Sequence, residues 1–122
     1  GTQYAITTST ASENINREIL VGTIDGHQVY QVTYKMGAET NTAGEKKSYY
    51  MGYPGNNVTM IDATGVICDG SVTFAMPYYK PDNNTYAYLG KYMSQLLLVT
   101  NMPKITGALA TIRYIKNTDY LK

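Results

Sequence analysis

The sequence predicts an all-β fold: an antiparallel, jelly-roll-like β-sandwich of about eight short strands. Three observations carry the prediction. Apolar and polar residues alternate with a period of two over several short runs, as in "VYQVTY" and "ALATIRYI". Turn dipeptides interrupt those runs, with Asp-Gly at Asp25-Gly26 and again at Asp69-Gly70, and Pro-Gly at Pro54-Gly55. Charged residues make up only 16% of the chain, well below the usual quarter, and uncharged polar residues fill the gap. That composition favours strands and polar loops over salt-bridged helices. A length of 122 residues suits one domain with a real core.

Residues 1–18 are polar and read as an N-terminal arm, with the folded body over residues 19–122. The first hairpin is built on Asp25-Gly26, where a two-residue loop favours a type I′ turn because Asp and Gly tolerate positive φ. The register then pairs Ile24 with His27, Thr23 with Gln28, Val21 with Tyr30 and Ile19 with Val32. Alternation places Ile19, Val21, Tyr30, Val32 and Tyr34 on the core face, and Leu20, Ile24, His27, Val29 and Gln31 on the other. A loop over residues 37–46 precedes a strand over 47–53, a turn over 54–57 and a strand over 58–62. The second Asp-Gly hairpin spans about residues 66–76, pairs Cys68 with Ser71 and Ile67 with Val72, and stops at Pro77. In residues 78–93, Tyr86, Leu89 and Met93 fit a helical stripe, but Gly90 and five tyrosines favour strand and loop. Two last strands follow, "LLLVTN" and "GALATIRYIK", the latter with Ala108, Ala110, Ile112 and Tyr114 facing the core. Asp25, Gly26, Asp69 and Gly70 are thus the turn-setting, fold-setting residues.

The chemistry-bearing residues are sparse. A net charge of +1 without a basic stripe argues against nucleic-acid binding. The single cysteine, Cys68, leaves no partner for an intramolecular disulfide and reads as a small, half-buried strand residue. The longest apolar run, "LLLV", is too short for membrane insertion. His27 is the sole histidine and reads as an exposed residue beside its turn. The nine acidic residues are scattered, so no catalytic pair, metal site or cofactor is expected. Tyrosine is the compositional signal: thirteen Tyr against one Phe and no Trp. A phenol offers an apolar ring and a polar tip, which suits adhesive surfaces. Tyr50, Tyr53, Tyr78, Tyr79 and Tyr86 lie near turn signals and are the expected receptor-binding residues.

The order of motifs carries a resemblance. "STASENINREILVGTIDGHQVYQVTYKMG", "VTMIDATGVICDG", "FAMPYY" and "GALATIRYIKNTD" resemble, in that order, a C-terminal domain common in bacteriophage fibre and appendage proteins. Such domains carry "WIDGKPIY" early and end in "YTKTTD". Ile24, Asp25, Gly26 and Tyr30 match the first motif, and Tyr114, Lys116, Thr118 and Asp119 the second. The resemblance covers about residues 9–119. It implies an all-β knob at the tip of a virion fibre, a homotrimer whose N-terminal arm leads from a fibre stem, and a non-catalytic role in attachment to a host-surface glycan or protein. The chain departs from the pattern at Thr23, where the family has Trp, and at His27-Gln28, where it has Lys-Pro. Two other readings fit the residues: a carbohydrate-binding module of a secreted bacterial protein, and a purely structural capsid decoration domain.

Overall fold

The computed structural model describes residues 15–120. The eleven strands are β1 (Ile19–Ile24), β2 (His27–Met36), β3 (Glu39–Thr40), β4 (Lys47–Gly52), β5 (Val58–Cys68), β6 (Thr73–Met76), β7 (Tyr78–Lys80), β8 (Thr85–Tyr92), β9 (Gln95–Thr100), β10 (Lys104–Ile105) and β11 (Gly107–Tyr120). No helix forms among the described residues. One sheet runs β1-β2-β11-β5-β6 and a second runs β4-β9-β8-β7, while β3 and β10 form a small ladder of their own. All the ladders are antiparallel. The expected sandwich is therefore the observed fold, with two-residue and three-residue pieces raising the strand number.

The core lies between the two sheets. Ala108, Ala110, Ile112 and Tyr114 of β11 face it, as their alternation predicts, beside Val32, Tyr34 and Met36 of β2. Met51, Ala87, Leu96 and Leu98 meet them from the four-stranded sheet. β11 is the central strand of its sheet, pairing with β2 on one side and β5 on the other. β5 is a single strand from Val58 to Cys68, because the Ala63-Thr64-Gly65 stretch stays paired to β11.

Both Asp-Gly hairpins form, with different turns. At the first, Asp25 and Gly26 have φ of 49° and 80° and Ile24 pairs with His27, as a two-residue type I′ loop requires. The expected pairs Val21–Tyr30 and Ile19–Val32 do not form. Leu20 takes Tyr30, Gly22 takes Val29 and Ile19 takes Gln31, leaving Val21 as an extra residue in a β-bulge. One inserted residue inverts the alternation beyond it. Val21 is consequently 43% exposed on an edge strand instead of buried.

The second Asp-Gly does not repeat the device. Cys68 pairs with Thr73 and Ile67 with Phe74, so residues 69–72 form a four-residue loop. The Asp69 carboxylate accepts hydrogen bonds from the backbone N–H groups of Ser71 and Val72, both at 2.9 Å, and closes the loop as an Asx turn. Those two bonds, Val72 first, hold the Asp69 pKa below its ordinary value. Gly70 supplies the positive φ of 102°.

Residues 78–93 form β7, a turn and β8, not a helix. His27 is 7% exposed rather than solvent-facing. The reason is the length of β11, which runs past Lys116 to Tyr120 and pairs there with His27. The residue beside the turn is thereby flanked by strands on both sides.

Candidate functional site

The five tyrosines singled out by the sequence fall into three places. Tyr79 and Tyr86 face each other across the β7–β8 ladder. Along β8 the period of two adds Tyr88 and Tyr92 to the same face. β9 contributes Leu97, opposite Gly90, and Val99, opposite Tyr88. This is the outer face of the four-stranded sheet: Leu96, Leu98 and Thr100 alternate with these residues and are fully buried on the inner side. Val99 is buried but lies outside the core cluster, so neighbours on the outer face cover it.

The result is a tyrosine ridge. Tyr79, Tyr88 and Tyr92 are 60%, 39% and 67% exposed, and the rings of Tyr86 and Tyr88 stack with centroids 6.0 Å apart. Ser48, Tyr50 and Gln95 complete the face by register, Tyr50 opposite Leu97 at its β4 edge, and among the described residues no charged strand residue shares it. The strand end beneath Tyr86 is pinned by side chains. Thr100 Oγ1 donates to the Tyr86 carbonyl at 2.7 Å, the Tyr86 N–H donates to Asn101 Oδ1 at 3.0 Å, and Asn101 Nδ2 donates to the Asn84 carbonyl at 2.8 Å. A rigid backbone thus presents the rings.

Tyr78 sits elsewhere. It is half-buried, packs on the core, and its ring lies 4.4 Å from that of Phe74. Its other side borders a depression of about 290 Å³ shared with Asp69, Lys80 and Lys104.

Tyr50 and Tyr53 lie on a third feature, a cleft of about 520 Å³ where the edge of β4 meets β2 and β11. Tyr34, Tyr114, Glu18 and Asn16 line its wall. The Glu18 carboxylate is fixed by two donors: the Tyr114 hydroxyl on Oε2 and Lys116 Nζ on Oε1 at 2.8 Å. Lys116 also lies 4.3 Å above the Tyr30 ring, and Tyr30 stacks on Tyr114 at 6.1 Å. Burial alone would raise the Glu18 pKa, but the bonds from Lys116 and Tyr114 and the Lys116 charge outweigh it, so the group sits below its ordinary 4.5. Burial, with Tyr50 and Glu18 nearby, pushes the Tyr34 phenol up to about 12. Burial and the Glu18 hydrogen bond raise Tyr114 further. Each phenol therefore stays protonated, able to donate as well as accept.

The sequence reading misses Glu18, Tyr34 and Tyr114, because nothing local marks residues that converge from a strand edge and two strands far apart in the chain. Tyr88 and Tyr92 belong to the tyrosine cluster that the sequence shows over residues 78–92, and the even spacing of Tyr86, Tyr88 and Tyr92 puts them on one strand face. Residues 1–14 of the expected arm lie outside the described residues. Residues 15–18 join the body: Ile15 bridges to Thr33, the Asn16 N–H donates to the Thr33 carbonyl at 2.7 Å, and Glu18 binds β11.

Cys68 and His27 do not meet. Cys68 pairs with Gly107 and His27 with Tyr120, at opposite ends of β11, roughly 30 Å apart at the strand rise of the β2 ladder. Cys68 is a half-buried residue at the end of β5, with its pKa lowered by Thr106 and by the Gly70 backbone. Among the described residues no cluster of three or more His, Cys, Asp or Glu could hold a metal ion, and no helix is long and apolar enough to cross a membrane. The chain matches no protein-family model, no curated protein and no solved structure.

Proposed function

We propose that this domain is the tip of a bacteriophage fibre or appendage, and that as a homotrimer it attaches the virion to the host cell surface without catalysis. The observation that carries the reading is the uncharged tyrosine ridge of β7, β8 and β9, built on a pinned sheet. Exposed tyrosines give large contact area at low cost in side-chain entropy, and their hydroxyls adapt to varied polar partners. The ordered motifs over residues 9–119 that resemble fibre-tip domains support the same reading. Three copies per fibre convert weak contacts into firm adhesion, because the second and third binding events are intramolecular.

Multi-angle light scattering of the purified domain at micromolar concentration tests the assembly. The reading expects a particle of three times the 13.5 kDa chain mass. A clean monomer contradicts it, and a monomer that binds a defined oligosaccharide points instead to a carbohydrate-binding module.

A further inference from the structure

The ridge is an open sheet face with exposed rings. The cleft at the β4 edge is different: it is concave, and its volume of about 520 Å³ lies inside the roughly 300–1,000 Å³ range of small-molecule sites. From its lining we infer that this cleft is a binding site for a neutral saccharide, with Glu18, Tyr34 and Asn16 reading hydroxyl groups and Tyr53 offering a ring to the sugar's apolar face. The inference names the ligand class for the attachment reading and rests on it.

The donor set fits this ligand. A carboxylate offers about four lone-pair sites, and Glu18 spends one on Tyr114 and one on Lys116. The remaining sites can accept from vicinal hydroxyls, in an orientation that the two existing bonds already fix. Tyr34 is over nine-tenths buried, lines the cleft, and its hydroxyl bonds to no described side chain. It supplies one donor and one acceptor. Asn16 adds an amide, which can donate and accept at once. Tyr50 and Tyr53 stand at the mouth, 57% and 60% exposed.

Two alternatives fit less well. Rings around a carboxylate can cage a quaternary ammonium group. Here, however, Lys116 already neutralises Glu18, and Lys35 on the rim adds a positive charge. A cation gains little from that field. A phosphate or other anion would meet the Glu18 carboxylate with only Lys35 to hold it, since Lys116 is engaged.

Gly52 shapes the wall of the cleft. A Cβ at Gly52 would run into the Tyr34 ring, so glycine lets that ring lie flat on the β4 backbone as part of the wall.

The test is a nuclear magnetic resonance titration of the isotope-labelled domain with galactose, rhamnose and N-acetylglucosamine in turn, with choline chloride and inorganic phosphate run in parallel. We expect at least one sugar to move the backbone amides of Glu18, Tyr34, Gly52 and Tyr53 saturably, with a Kd of order 1 mM for a single site. Tyr34→Phe keeps the ring and removes only the hydroxyl, and should weaken binding about tenfold. Tyr53→Ala, at an exposed position, should weaken it too with the spectrum otherwise native. No shift with any of the three sugars up to about 100 mM, a hundred times that Kd, overturns the inference. So do sugar shifts confined to β8, an unchanged affinity in both variants, or cleft shifts with choline or phosphate alone. Adhesion to cells is read separately. Adhesion that survives Tyr34→Phe with no sugar shift refutes the cleft and leaves the attachment reading standing. Sugar binding in the cleft without cell adhesion does the reverse.

Discussion

Gly52 and Tyr34 show how much one side chain decides. Because a Cβ at Gly52 would collide with the Tyr34 ring, Gly52→Ala should cost about 1–3 kcal/mol, read by chemical denaturation, as overpacking typically does. Gly22→Ala is the contrast, since nothing lies within 4 Å of the added carbon, and it should leave the midpoint nearly unchanged. The cleft tyrosines predict an alkaline limit. A phenol whose folded pKa is raised favours the folded state fully below the unfolded value, and that contribution is lost as pH rises through the folded one. With Tyr34 moved from 10 to about 12, stability should fall between those two pH values, and Tyr34→Phe should flatten the fall. Glu18 works in the opposite sense. Its lowered pKa means that its contribution is complete above 4.5 and disappears as pH drops through its folded value, so Glu18→Gln should flatten the acid limb of a thermal-melt series.

Strands were legible in proportion to how local their determinants are. β11 reads directly from its alternation, and the four predicted core residues are the four observed. Ile112 is fully buried in the strand that joins both halves of its sheet. Ile112→Ala should therefore cost about 2–5 kcal/mol, a large share of the roughly 5–15 kcal/mol available to a domain; a denaturation midpoint that barely moves would contradict this packing. The type I′ turn is equally local, and Asp25 with Gly26 adopts it as expected. What fails is what depends on the partner strand. The bulge at Val21 follows from fitting β1 against β2, and it inverts the faces of Ile19 and Val21. The Asp69 loop has the same dipeptide but closes through its carboxylate, a choice that depends on how many residues separate β5 from β6. His27 is buried by a strand whose sequence lies some ninety residues away.

At the scale of the molecule, the sandwich class was legible because composition, alternation and turn chemistry all point the same way. The placement of the tyrosines was half legible. Tyrosine abundance draws attention to these side chains, but the sheet topology sorts them: Tyr79 and Tyr86 onto the ridge, Tyr50 onto the far edge of the same face where it borders the cleft, Tyr53 into the cleft mouth, Tyr78 against the core. The ridge joins Tyr88 and Tyr92 to the first pair through one period of two. The proposed attachment surface is this aromatic face, and the proposed sugar site is the cleft at its β4 edge. The most direct measurement is binding of the fluorescently labelled domain to intact cells across a panel of bacterial strains, beside a variant with Tyr79, Tyr88 and Tyr92 changed to Ala. These three rings are exposed, so the variant should keep the native melt. The account predicts saturable binding to at least one strain, reduced at least tenfold in the variant. Equal binding by the two proteins, or none to any strain, would contradict it.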